Sequence, residues 1–286
     1  MNNTLFIKAG IALLMLSVMV ITEQLLYPSN SISQGDLVIM PRRVILDASK
    51  RTQELNVANT GADSAKYLIS VVQYRMLESG AFEEIAEPDS GQNFADKNFR
   101  FFPRSVTLAP NESQTIKIQA INTNDLKSGE YRSHLYFRAV AKDRPIEDDA
   151  SKLPQSLSVH LVPTFGVAIP VIIRNGNSTL KVNIEKPVFS LNDNGVPQLN
   201  MKFNRTGNMS VYGDLKVEHI TATGKITQVG IAKGLAIYTP NPVRNFMLNL
   251  DKSLGVDYHK GKLNIVYTTS SESKPVVITS SQIDLF

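Results

Sequence analysis

The chain has 286 residues, 42% of them hydrophobic and 20% charged, which is enough apolar material for the cores of two ordinary domains and too much for a disordered chain. The net charge of +4 comes from Lys and Arg interleaved with Asp and Glu, without a basic run, so nucleic acid is not a favoured partner. Cysteine is absent, which excludes disulfides, thiolate metal sites and a cysteine nucleophile.

At the N-terminus, "MNNTLFIKAGIALLMLSVMVITEQ" places one lysine, Lys8, before an apolar run from Ala9 to Ile21. That run has signal-peptide length and falls short of the roughly twenty residues a spanning helix needs. Residues 1–33 therefore read as an export segment, with small Ser31 and Ser33 ahead of a cleavage before Gln34. The spacer from Thr22 to Asn30 is long for a signal peptide, so an uncleaved anchor is the alternative.

From Gly35 onward, short strand-like stretches alternate with turn signals, the pattern of an all-β sandwich. "DLVIMPRRVILDASK", "TQELNVANTG", "KYLISVVQYRMLESG", "FRFFPRSVTLAPNESQTIKIQAI" and "GEYRSHLYFRAVAK" follow one another, with turns expected at Asn59-Thr60-Gly61, Ser79-Gly80, Ala109-Pro110-Asn111 and Ser128-Gly129. The mixed-charge segment 142–156, "KDRPIEDDASKLPQS", reads as an exposed loop and leads into "LSVHLVPTFGVAIPVIIRNG" at 157–176. There Leu157, Val159, Leu161, Phe165, Val167 and Ile169 share one parity, as on one face of a strand. Pro163 and Pro170 rule out full pairing on both sides at those points. Such a row either belongs to the sandwich's own core or lies on an edge that invites another chain.

"IRNGNS" at 173–178 marks a boundary, beyond which a second strand-rich block runs from "TLKVNIEKPVFSL" to "PVVITSSQIDLF". The expected architecture is all-β, with two sandwiches in tandem over 35–173 and 174–286. Catalytic patterns are missing. His134, His160, His219 and His259 show no metal-ligand spacing, "TGK" at 223–225 lacks the upstream glycine of a P-loop, and Ser128, Glu130 and His134 lie too far apart along a strand for a relay. Glu83-Glu84 and Glu147-Asp148-Asp149 read as acidic surface runs. Nothing in the sequence supports an enzyme, a cofactor, a metal or a small-molecule substrate.

Taken in order, several segments resemble the periplasmic chaperones of pilus and fimbria assembly. "PRRVILDASKRTQELNVANTG" is similar to the family's opening strands, "FRFFPRSVTLAPNESQTIKI" to its middle segment, and "GEYRSHLYFRA" with "IPVIIRNG" to the pair flanking its mobile loop. "NMKFNRTGNMSVYGDLKV" and "YTPNPVRNFML" resemble parts of its second domain. The resemblance implies two immunoglobulin-like sandwiches set at an angle, with a basic cleft between them. It also implies a non-enzymatic role in the periplasm of a Gram-negative cell. The last strand of the first domain, carrying the 157–169 row, would be lent to an incomplete pilin or fimbrial subunit. An outer-membrane usher would receive the complex. Arg43, in "PRRVIL", matches the first of two basic residues that hold the subunit's C-terminal carboxylate; the second, a lysine in the family, falls on Pro170 here, which leaves Arg174 as a substitute or as a linker residue tying the domains. The competing reading is an exported two-domain sandwich of structural or adhesive type that lends no strand.

Overall fold

The structure, a computed structural model, describes residues 37–140, 165–270 and 274–285. The export segment, the 142–156 loop and the row members Leu157, Val159 and Leu161 lie outside the described residues. Everything described is strand or turn, in two tandem immunoglobulin-like β-sandwiches.

The first sandwich opens with a split strand. β1 (Leu37–Met40) pairs with β3 (Thr52–Asn59), whereas β2 (Val44–Leu46) pairs with β11 (Gly166–Asn175) in the opposite sheet. Pro41, Arg42 and Arg43 make the crossing, and proline suits it because no ladder donor is needed between sheets. A second proline repeats the device. Pro103 separates β7 (Phe99–Phe102), on the sheet with β3 and β9 (Ser113–Ala120), from β8 (Ser105–Leu108), which pairs with β4 (Ala65–Val72) on the other. "FRFFPRSVTL" is thus two strands in different layers. One sheet runs β1-β3-β9-β7; the other runs β2-β11-β10-β4-β8, with β10 spanning Gly129–Ala139.

Between the sheets, alternate residues bury Leu55, Val57, Ile116, Ile118, Leu135, Phe137, Val171 and Ile173. Period-two alternation in the sequence sets this packing, since each strand gives one face to the core. Fully burying such side chains is worth about 1.5–3 kcal/mol each. "KYLISVVQYRM" breaks at Gln73, and its tail, β5 (Tyr74–Met76), forms a hairpin with β6 (Phe82–Glu84) that stands apart from both sheets.

The second sandwich packs β12 (Lys181–Leu191), β13 (Pro197–Thr206) and β16 (Val243–Asn249) against β15 (Ile226–Ile237), β14 (Val211–Ile220), β17 (Gly261–Thr269) and β18 (Val277–Leu285). Its core centres on Leu199, Phe203, Leu215, Val217, Leu263, Ile265 and Tyr267. A smaller cluster, Met76, Ile172, Ala236 and Tyr238, with Ile45 and Tyr212 against it, lies where the two sandwiches meet.

Candidate functional site

Every residue of β11 pairs antiparallel with β10, from Gly166 opposite Arg138 to Asn175 opposite Gly129. On its other side, β2 covers only Val171, Ile172 and Ile173, in parallel register. From Gly166 to Pro170 no described strand lies on that outer edge. The Ala139 N–H donates to the Phe165 carbonyl at 3.0 Å, so odd-numbered residues turn their backbone groups to β10 and even-numbered ones turn theirs outward. Pro170 therefore has its missing N–H on the open side and costs the β10 ladder nothing. The N–H groups and carbonyls of Gly166 and Ala168 face that edge.

The odd side chains tell the same story along the strand. Phe165 is 64% exposed and Val167 37%, but Ile169 is 4% exposed, and Val171 and Ile173 are fully in the core. The row that the sequence treats as one face emerges from the core towards its N-terminal end. Ile169 lies in the core, and Phe165 and Val167 carry the exposed part.

At the end of β10 and β11 next to the second sandwich, the even residues Glu130, Arg132 and Arg174 are charged and meet it. Glu130 stands opposite Arg174, and Arg132 opposite Ile172. Glu130 is buried; its carboxylate accepts from the Ser210 N–H at 3.0 Å, from the Ser210 hydroxyl, and from Arg174 Nε at 3.2 Å. Arg174 also donates from Nη2 to the Ser210 carbonyl at 2.9 Å. Arg174 thus ties the two sandwiches within the chain, the second of the two roles that the sequence left open for it. The β5–β6 turn makes a further tie, with the Glu78 carbonyl accepting from the Asn245 N–H at 2.8 Å and from Arg244 Nη1 at 3.3 Å. Gly80 makes room there: its φ is +85°, and a Cβ would fall 1.8 Å from the Arg244 Cζ.

Two other arginines at this seam are treated differently. Arg43, at the sheet crossing, lays its guanidinium over the Tyr212 ring at 4.0 Å and lies 5.8 Å from the Tyr238 ring. Its Nε, Nη1 and Nη2 are buried and meet no acceptor among the described residues. Arg132, 2% exposed, lies over Tyr238 at 4.3 Å and donates once, from Nη2 to the Thr239 carbonyl at 3.2 Å; its Nε and Nη1 are likewise buried without an acceptor. Burial pulls the Arg132 pKa down, and the charge of Arg43 adds to that, while Tyr238 and Glu130 oppose it. By contrast Arg205, also buried here, is satisfied by the carbonyls of Gly207, Met209, Pro240 and Asn241.

Beside them His134 packs edge-on against Tyr74 and Phe82, with burial first and Arg132 second pushing its pKa down to about 3. No group of His, Asp and Glu among the described residues is arranged to hold a metal ion. Sequence reasoning singled out Arg43 and passed over Arg132, Tyr212 and Tyr238, which the fold brings beside it. Glu130, Arg132 and His134 form a polar row in an otherwise apolar strand, which reads as a solvent face until a second domain is known to cover it.

No family model matches the chain, and no curated protein does. Among solved structures it is similar to the class 5 fimbriae chaperone CfaA, with 15% identity over 88% of this chain and 99% of that one and a TM-score of 0.41. It is similar too to the YadV chaperone, at 14% identity over 87% and 100% and a TM-score of 0.41. The Pseudomonas aeruginosa CupB2 chaperone gives 14% identity over 87% and 100%, with a TM-score of 0.40. Similarity at this level assigns no side chain a role.

Proposed function

We propose that this chain is a periplasmic chaperone that binds pilus or fimbrial subunits by lending them the open edge of β11 and hands them on, through an outer-membrane usher, for fibre assembly. The observation that carries this is the outer edge of β11 at Gly166 and Ala168, on which no strand lies among the described residues and which runs out at the crossing that holds Arg43. β2 lies parallel to β11 and begins with Val44 beside Val171. A subunit strand laid on the open edge in that same direction would end where β2 begins, bringing its C-terminal carboxylate to Arg43. A guanidinium suits that group because its planar fork takes a carboxylate bidentately.

Along the strand, Phe165 and Val167 would enter the subunit's groove, with the preceding row of Leu157, Val159 and Leu161 continuing it. Burial contributes about 1.5–3 kcal/mol per side chain, and each backbone hydrogen bond about 0.5–1.5 kcal/mol net. Association and ordering costs are subtracted from that, so edge length alone does not set affinity.

Val167→Glu tests the reading. A carboxylate there stays in water in the free chain but would be desolvated in a subunit groove, at a cost of several kcal/mol. The variant should melt like the wild type, and co-expressed fibre subunits should no longer co-purify with it. Undiminished subunit capture by Val167→Glu would exclude the open edge as the binding strand. If the wild-type chain captures no fibre subunit, the structural or adhesive sandwich becomes the better description.

A further inference from the structure

We infer that Tyr136, on β10, is a positioning residue for the open half of β11: its ring packs over Gly166 and holds that half extended against β10 before any partner reaches the edge. That the edge is held ready for a fibre subunit rests on the function proposed above; the hold itself does not.

The half-strand has little else to keep it in place. At Gly166 and Ala168 its one neighbour among the described residues is β10. It also starts at a glycine, which has the most backbone freedom to lose and no side chain to pack, so it weakens a strand. Freedom kept in the free chain has to be given up on binding, at the expense of affinity. Nor does the backbone itself call for glycine here. The φ of Gly166 is not in the left-handed region, and an alanine could adopt it.

What excludes a side chain is a ring. A Cβ on Gly166 would collide with Cε2, Cζ and Oη of Tyr136. In register Tyr136 stands opposite Ala168, and Arg138 opposite Gly166. Both are non-hydrogen-bonded pairs, because the odd residues between them carry the ladder bonds, as the Ala139 N–H does to the Phe165 carbonyl. Side chains approach most closely in such pairs, and an aromatic ring reaches the diagonal neighbour. Tyr136 therefore leans along the diagonal, and its hydroxyl end fills the place where residue 166 would carry a side chain. The half-buried ring supplies the apolar cover that the glycine lacks, as aromatic residues do for glycines at sheet edges. This cover comes from the face of the sheet. The outward N–H and carbonyl of Gly166 lie in the plane of the sheet and stay open to an incoming strand.

Amide hydrogen exchange in the intact chain, followed by NMR at the Ala139 N–H, reads the hold directly. Tyr136→Ala should speed that exchange about fivefold, and Tyr136→Phe should leave it as in the wild type, with melting little changed in either. A double-mutant cycle adds a change of sign. With the ring present, Gly166→Ala displaces it and should speed exchange. In the Tyr136→Ala background the same Gly166→Ala should slow exchange, because alanine restricts the backbone where no ring occupies the space. Gly166→Ala alone, which deletes nothing, covers the case in which Tyr136→Ala does not fold. An effect of one sign in both backgrounds, or exchange indifferent to Tyr136→Ala, would overturn the inference. Co-expressed fibre subunits should be retained several-fold less by Tyr136→Ala than by the wild type or Tyr136→Phe. Undiminished capture by Tyr136→Ala, where Val167→Glu abolishes capture, would overturn the positioning role and sustain strand lending. A wild-type chain that captures no fibre subunit would overturn strand lending and this use of the hold with it, while the exchange cycle still decides whether the ring holds the strand.

Discussion

His134 occupies a position where chemistry and packing pull against each other. Its ring is buried between Tyr74, Phe82 and Arg132, and its Nδ1 has no acceptor among the described residues. With a folded pKa near 3 against an ordinary 6.5, the imidazole is neutral in the native chain at any physiological pH. Below pH 6.5 the unfolded chain binds a proton that the folded chain refuses, so the stability this residue contributes is present above 6.5 and is lost as pH falls towards 3. From pH 7 to pH 5 the loss is roughly 2 kcal/mol, at about 1.36 kcal/mol per pH unit below the unfolded pKa. Urea unfolding at the two pH values should show it, and His134→Phe, which fills the same aromatic niche without a titratable group, should remove most of the difference. An equal pH slope in the variant would place the acid sensitivity elsewhere. The ring belongs to packing; the charge beside it belongs to Arg132.

β11 shows how one strand changes its work along its length. Its C-terminal half is held on both sides, by β10 and β2, and its odd side chains fill the core; its N-terminal half is held by β10 alone among the described residues, and beyond Ile169 its odd side chains come into the open. Two substitutions of one kind should therefore part company. Ile169→Glu buries a carboxylate among apolar side chains and should cost several kcal/mol, enough to melt the first sandwich well below the wild type. Val167→Glu, two residues earlier on the same face, should shift melting little. Similar losses from both, by thermal unfolding followed by circular dichroism, would mean that the edge is covered in solution. Much of this was legible beforehand. Alternation placed the strands, and the two prolines flagged that 157–176 could not be paired throughout. What period-two alternation cannot carry is sheet membership: "DLVIMPRRVIL" and "FRFFPRSVTL" each read as one segment, and each crosses between layers at its proline. A crossing leaves the apolar parity intact on either side, so no pattern in the string announces it.

The arrangement of the whole molecule depends on a seam that lies beyond the reach of sequence periodicity, because its partners are far apart in the chain. Arg43 stacks on Tyr212, Arg132 on Tyr238, and Glu78 meets Asn245. At the centre is Glu130, the buried carboxylate that receives the Ser210 N–H and hydroxyl from one sandwich and Arg174 from its own. The Ser210 hydroxyl in turn accepts from the Thr239 N–H at 2.9 Å, next to the carbonyl that Arg132 uses. Removing Glu130 takes the acceptor from Arg174 Nε and from the Ser210 N–H and hydroxyl, and leaving a buried donor unsatisfied costs about 1–3 kcal/mol. The cost falls on the contact between the sandwiches and not on either core, since Glu130 packs in neither. Calorimetry should therefore show the wild type melting in one coupled transition, and Glu130→Ala in two, with each sandwich unfolding separately. Ser210→Ala, which removes one hydroxyl but keeps the Ser210 N–H contact and the ion pair, should shift the single transition without splitting it. If Glu130→Ala still melts in one transition at the wild-type temperature, the seam does not couple the sandwiches.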